Sequence, residues 1–199
     1  MTTPEAKAQL RRVLRERRAA WTAVERAAAG AALAGHAAVL PAGTVAAFVA
    51  VRDEPPTLPL LAALHELGIR VLLPLLREDR DLEWGEFEGE DALAPGRLGI
   101  SEPTSRSLGV DAVRDAALVL APALAVDREG RRLGQGGGSY DRALARVTAP
   151  VVAVVFDDEV LDEPIPVEAH DRRVAGVLTP RGGLAWLAGG DPADAGRQR

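Results

Sequence analysis

Two hydrophobic rhythms alternate along this chain. Short, nearly unbroken apolar runs at Thr44–Ala50, Ile69–Pro74, Ala117–Ala121, Val151–Phe156 and Val174–Leu178 read as strands covered on both faces. Between them, apolar residues recur three and four apart, as on one side of a helix. Leu10, Val13, Leu14 and Trp21 form such a side, and Thr2, Pro4 and Glu5 start that helix as cap, early proline and capping-box acid. Thr22 and Glu25 repeat the box before an alanine-rich second helix that runs to about Val39. Leu58, Leu61 and Leu64 mark a third helix, stopped by Gly68. Residues 77–90 are strongly charged, with Leu82 and Trp84 alternating as in an edge hairpin. Strands alternating with helices predict one three-layer α/β domain over residues 1–188, with a mainly parallel, Rossmann-like sheet, and a polar tail at 189–199. Ligands on such sheets collect at the carboxyl ends of the strands. That rule puts Arg52, Asp53, Glu54, Val126 and Asp127 at one rim.

Composition narrows the chemistry more than the fold. The absence of cysteine removes disulfides and thiolate catalysis, and a zinc site would have only three histidines to draw on. A net charge of −5 argues against a general nucleic-acid binder. The N-terminus is charged from Glu5 onward, and no apolar run approaches the roughly 18 residues of a membrane span. A cytoplasmic location is therefore expected, with a small molecule as partner rather than nucleic acid or membrane. The chain is expected to be a monomer or small homo-oligomer.

Lys7 is the single lysine among 24 lysines and arginines. An arginine cannot imitate a compact ammonium with rotatable donors, so either a specific role or chance explains it. Lys7, Arg11, Arg15 and Arg18 line one helical stripe, which reads as a solvated face or as charge offered to a polyanion.

The densest signal is Arg132-Leu-Gly-Gln-Gly-Gly-Gly-Ser-Tyr-Asp141. Gly134, Gly136, Gly137 and Gly138 bring backbone N–H groups together without side chains, just before a helix expected from Ser139 to Val147. Orphan N–H groups and the helix dipole favour an anion there. Asp141 would repel bare phosphate but tolerate phosphate carrying a divalent cation. Loop, arginines and acid suggest a nucleoside triphosphate with Mg²⁺. The spacing is neither that of a P-loop, which needs a lysine, nor that of a dinucleotide loop. A plain glycine-rich surface turn is the competing reading.

This loop closely resembles the signature of the 5-formyltetrahydrofolate cyclo-ligase family. The resemblance continues through Lys7–Arg11, Val49–Glu54, Gly99–Pro103, Ala121–Asp127 and His170-Asp171, in the family's order. It implies ATP-driven cyclisation of 5-formyltetrahydrofolate to 5,10-methenyltetrahydrofolate. Lys7 and Arg11 would bind the ATP phosphates, and Arg132, Leu133, Gly134, Gln135, Gly136, Gly137, Gly138, Ser139 and Tyr140 the rest of the nucleotide. Lys7 and Arg132 would act on the transferring group. Asp141 and Asp171 match the family's Mg²⁺ ligands, and Val49 and Glu54 its folate contacts. Ser139 stands where many members carry an aromatic residue, which puts one substrate contact in doubt.

Each assignment has a plainer rival. Asp171 also suits a turn cap, Glu54 a solvated loop acid, and Trp84 hairpin packing rather than a folate stack. His36 and His65 are expected within helices, and no histidine is assigned a role. Two other functions compete: a nucleotide-binding regulatory module, and an isomerase or acyl-CoA transferase of similar fold.

Overall fold

The computed structural model describes residues 2–168 and 171–188; His170 and the expected tail at 189–199 lie outside the described residues. The chain opens with α1 (Thr3–Ala19) and α2 (Ala23–Ala34), each started by the capping box expected at Thr2 and Thr22. It continues through β1 (Thr44–Ala46), α3 (Leu58–Glu66), β2 (Arg70–Leu76), β3 (Leu82–Glu86), β4 (Leu93–Pro95) and β5 (Ser101–Pro103). Next come β6 (Leu118–Pro122), β7 (Ala125–Asp127), β8 (Arg132–Leu133) and α4 (Ser139–Leu144). The last elements are β9 (Val151–Val154), β10 (Val160–Leu161), β11 (Gly176–Thr179) and β12 (Gly183–Trp186).

A seven-stranded sheet in the order β12-β11-β9-β6-β1-β2-β3 forms the centre. Its five inner strands run parallel, and β3 and β12 close the edges antiparallel. Successive side chains face opposite sides, and here both sides are covered. Val45, Leu118, Leu120, Val152 and Val154 pack with Leu33 of α2 and Leu60, Leu61 and Leu64 of α3. Ala46, Leu72 and Val119 pack on the other side with Trp84 and with Ala143 and Leu144 of α4. This double coverage is why the strands read as unbroken apolar runs. Trp84, 1% exposed, is a core residue rather than a ligand platform. Among the described residues no helix is long and apolar enough to cross a membrane.

Local boundaries differ from expectation for identifiable reasons. The apolar run at Thr44–Ala50 pairs as a strand only to Ala46. Beyond it the Thr57 hydroxyl takes over the backbone groups, donating to the Phe48 carbonyl at 2.7 Å and accepting from the Ala50 N–H at 2.9 Å. The second helix stops at Ala34, and a separate 3₁₀ turn covers Ala37–Val39. His36 therefore sits between helices, its Nε2 lying 3.0 Å from the Pro180 carbonyl oxygen. The helix expected to reach Val147 is α-helical only to Leu144 and finishes on tighter bonds from Arg146 N to Ala143 O and Val147 N to Leu144 O. The sheet edge at Gly183–Trp186 was not anticipated. It is four residues long and enters from a glycine with φ +67°.

The N-terminal helix crosses the carboxyl rim of the sheet. Leu14 packs with Leu124, Ala125, Leu133 and Ile165 around the small β10-β7-β8 sheet. One turn further, the buried Arg18 grips the buried Glu159 with two bonds, Nε to Oε1 at 2.6 Å and Nη2 to Oε2 at 2.7 Å. Arg18 also donates to the Ala123 carbonyl at the end of β6, and Glu159 Oε2 accepts the Phe156 N–H. Trp21 stacks on Phe156 with ring centroids 4.1 Å apart. The basic stripe is thus not a solvated face: Lys7 and Arg18 point inward, and only Arg15 among its later members is well exposed. Removing one member of a buried pair leaves the other charge stranded, typically at about 3–5 kcal/mol. Glu159→Gln is therefore expected to lower unfolding free energy by about 3 kcal/mol in a denaturant titration. A loss within about 0.5 kcal/mol would mean that the pair does not brace the helix.

Candidate active site

Where α1 meets the carboxyl rim, its first turns face the glycine loop and the segment around Asp171. Lys7 is 4% exposed, and its Nζ donates to Glu168 at 2.9 Å and to Asp171 at 2.5 Å. Burial by itself pulls the Lys7 ammonium pKa down. The two carboxylates outweigh that and hold it above the ordinary lysine value. Arg11, one turn on, donates from Nε to the Gly134 carbonyl at 2.9 Å. Arg15 grips Gln135 through both its backbone oxygen and its side-chain oxygen.

The loop itself depends on glycine. Gly136 and Gly138 adopt φ of +97° and +74°, which residues with a Cβ rarely occupy. A Cβ at Gly137 or Gly138 would meet nothing within 4 Å, so the loop backbone borders open space. Arg132 enters from β8, bonding the Pro122 carbonyl at 3.2 Å through Nη1 and pairing with Asp141 through Nη2, while its buried Nε has no partner.

Lys7, Arg11, Arg132, Gly134, Gly136, Gly138, Asp141, Glu168 and Asp171 line one pocket of about 150 Å³. Leu133 also borders the pocket, and it packs in the core with Leu14. The two acids expected to hold a metal do share this pocket. Asp141 pairs with Arg132, while Asp171 both faces Lys7 and caps its own turn by accepting the Glu168 N–H at 2.7 Å. The turn-cap and pocket readings of Asp171 are thus compatible. Among the described residues no group of three or more histidine, aspartate or glutamate side chains is arranged to hold a metal alone. Glu168 is the pocket residue that sequence reasoning missed. Its spacing of three from Asp171 was the only signal.

Glu54 lies beside this pocket, after β1, and is 6% exposed, so it is not a solvated loop acid. It accepts the Val51 N–H at 3.0 Å and the Gln135 side-chain amide at 3.3 Å. Burial raises its pKa, against those two bonds and the charge of Arg18. Its turn carries Arg52 at φ +52° and is tied down by Arg26, which bonds Asp53 at 2.8 Å and the Arg18 carbonyl at 2.5 Å. Val49 packs half-buried against the core, outside the pocket. The Tyr140 hydroxyl is buried without a partner, and burial together with the charge of Glu54 pushes its pKa up. Ser139 begins α4 and Gln135 is exposed; neither lines the pocket.

A mainly parallel sheet with a glycine loop and three cations facing three acids at its carboxyl rim defines an α/β protein with one charged pocket. A sequence profile of the 5-formyltetrahydrofolate cyclo-ligase family matches residues 3–180, and the chain belongs to that family. It is 43% identical over 194 residues to the 5-formyltetrahydrofolate cyclo-ligase of Mycolicibacterium smegmatis, covering 93% of this chain and 99% of that relative. Its identity to the Escherichia coli 5-formyltetrahydrofolate cyclo-ligase is 33% over 184 residues, covering 87% of this chain and all (100%) of that one. The solved structure of Aquifex aeolicus 5,10-methenyltetrahydrofolate synthetase superposes with a TM-score of 0.77 at 26% identity, covering 91% of this chain and 92% of that chain.

Gly136 provides a direct test of the loop. In Gly136→Val the added side chain would have to sit at φ +97°, with its Cβ 3.6 Å from the Arg11 guanidinium. The expected result is at least a tenfold loss of ATP affinity by calorimetry, with the far-ultraviolet circular dichroism unchanged. Unaltered affinity would return this stretch to an ordinary surface turn.

Proposed function

We propose that this chain catalyses the ATP- and Mg²⁺-dependent cyclisation of 5-formyltetrahydrofolate to 5,10-methenyltetrahydrofolate, releasing ADP and phosphate. The observation that carries this reading is one juxtaposition. Lys7, Arg11 and Arg132 converge with an open glycine backbone on one pocket, while the buried carboxylate of Glu54 stands beside it, bonded to the loop through Gln135. The first set suits a triphosphate. The second suits the donor edge of a pterin, whose ring N–H and amino group can give one carboxylate two parallel hydrogen bonds.

The donor set also fits the groups it would receive. The cations now rest on internal carboxylates, Lys7 on Glu168 and Asp171, and Arg132 on Asp141. Phosphate oxygens would take over the cations and leave Asp141 and Asp171 for a hydrated Mg²⁺, which prefers a few carboxylates plus substrate oxygens. Such an ion supplies neutralisation of charge on the phosphates. Arg132 also keeps one donor, its buried Nε, without a partner.

The chemistry follows from the substrate. A formamide oxygen is a poor leaving group. When it attacks the γ-phosphorus, ADP departs and the oxygen becomes part of a phosphate ester on an N5-iminium carbon. N10 of the same molecule then attacks that carbon, its proton is lost, and phosphate leaves. The first step depends on positioning and charge stabilisation, the task of Lys7 and Arg132. The second is intramolecular, so orientation of the pterin by Glu54 sets the geometry. Mixing the protein with ATP, Mg²⁺ and 5-formyltetrahydrofolate should give the methenyl absorbance. ATP binding without it would favour a nucleotide-binding module instead.

Substitutions at two positions separate the roles. Lys7→Arg should recover little of what Lys7→Ala loses, because the larger planar guanidinium would misplace the γ-phosphate, an effect on the order of a hundredfold in kcat. Near-wild-type turnover of the arginine variant would make the lone lysine a matter of chance. Glu54→Gln should raise the KM for 5-formyltetrahydrofolate at least tenfold and leave the KM for ATP within about twofold, since a buried amide cannot accept both pterin donors. Equal shifts in the two constants would show that Glu54 holds the rim together rather than the pterin.

A further inference from the structure

The segment that carries Glu168 and Asp171 has no helix or strand of its own between β10 and β11 among the described residues, so tethers must set its position. Those tethers converge on one turn. Ile165 N–H donates to Asp127 Oδ2 at 2.8 Å, and the Val174 N–H donates to the Gly130 carbonyl at 2.8 Å. Arg173 adds a bond to the Glu129 carbonyl at 3.1 Å. Between these clips, Glu168 and Asp171 reach Lys7. A Cβ on Gly130 would lie 2.3 Å from the Val174 carbonyl oxygen, so the turn and the segment approach as closely as backbones can.

Asp127 organises this turn. It is 1% exposed, and its carboxylate accepts four donors. Oδ1 takes the N–H groups of Glu129 and Arg131, both at 3.0 Å, while Oδ2 takes Ile165 N–H and Arg131 Nε at 2.5 Å. Burial pushes its pKa up, but these bonds outweigh it and keep the group ionised. The same turn feeds directly into β8, hence into Arg132 and the glycine loop. One carboxylate therefore sits at the root of both walls of the pocket, the loop on one side and the Asp171 segment on the other.

We propose that Asp127 is a positioning residue that fixes the distance between Asp171 and the glycine loop, and so tunes the affinity for the metal–phosphate unit. It touches neither substrate nor metal. The inference rests on the reading of Asp171 as a Mg²⁺ ligand. An asparagine at 127 would turn an NH₂ group toward two of the four donors whichever way it was flipped, either the Glu129 and Arg131 N–H groups that shape the turn or the Ile165 N–H and Arg131 Nε, so it loosens the turn or releases its tether to the segment. Groups that orient metal ligands typically change metal affinity by 10–100-fold when lost.

Asp157 provides the matching control. It too is a bonded turn carboxylate, accepting from Thr179 Oγ1 at 2.9 Å and Gly182 N at 3.0 Å, but it holds the β11–β12 turn and does not line the pocket. The experiment compares the full chain with Asp127→Asn, Asp157→Asn and Asp171→Asn. It measures thermal stability, Mg²⁺ dependence of ADP binding by calorimetry, and hydrogen exchange over residues 163–175. Asp127→Asn and Asp171→Asn should each raise the Mg²⁺ concentration for half-maximal binding at least tenfold. Asp127→Asn should also speed exchange at Ile165 and Val174, where Asp171→Asn should speed it only around Glu168, and Asp157→Asn should lower the melting temperature alone. If Asp171→Asn shifts the Mg²⁺ dependence but Asp127→Asn does not, the positioning role is wrong and the metal reading survives. If Asp171→Asn leaves the Mg²⁺ dependence unchanged, the metal reading is wrong and the inference goes with it.

Discussion

The buried pairing of Arg18 with Glu159 decides where α1 lies, and most of the pocket follows from that placement. Both charges have left water, which is offset because the pair is bidentate, Arg18 Nη2 also reaches the Ala123 carbonyl and Glu159 Oε2 accepts the Phe156 N–H, although Arg18 Nη1 stays buried without a partner. An α-helix is rigid over the few turns that separate Arg18 from Lys7, rising 1.5 Å per residue. Fixing one end against the ends of β6 and β9 therefore delivers Arg11 and Lys7 to the glycine loop and the Asp171 segment. The C-terminal carbonyl of the same turn, that of Arg18, also receives Arg26, which in turn holds Asp53 and the turn bearing Glu54. One helix end thus aligns both halves of the proposed site.

The pocket that results is charged but internally balanced. Lys7, Arg11 and Arg132 face Asp141, Glu168 and Asp171 across a small space. A set of like cations held this close would repel one another and strain the fold, so the carboxylates make the unliganded arrangement stable. The same carboxylates are the oxygens a divalent cation would need. Exchange of partners, rather than creation of charge, is then what binding of a metal-bearing polyanion requires. The side chains are already placed, so little conformational freedom is left to be lost on binding.

Backbone constraints complete the site where side chains cannot. Gly136 and Gly138 are the positions at which the loop needs left-handed conformations, and Gly130 is where two backbones touch. Around them, Asp127 turns four separate donors toward a single carboxylate. Irregular segments at the end of a sheet have no ladder to hold them, and such turns do that work instead.

Much of this was legible in the residues alone. Capping boxes at Thr2 and Thr22 and five apolar runs reported the elements and the mainly parallel architecture, because each depends on local spacing or on short-range backbone geometry. The resemblance to the cyclo-ligase family was what grouped Lys7, Arg132, Asp141 and Asp171. Tertiary structure decided the rest. No helical periodicity could tell that Lys7 and Arg18 of the basic stripe turn inward, since each meets a carboxylate far away in sequence, 164 residues for Lys7 with Asp171 and 141 for Arg18 with Glu159. Nor could it single out Glu168, which meets Lys7 from 161 residues away in sequence. Where the Thr44–Ala50 run stops pairing was likewise hidden, because the Thr57 hydroxyl that replaces the ladder arrives from the start of the next helix. Local patterns determine what each segment can form; long-range hydrogen bonds and charge pairing determine which groups meet.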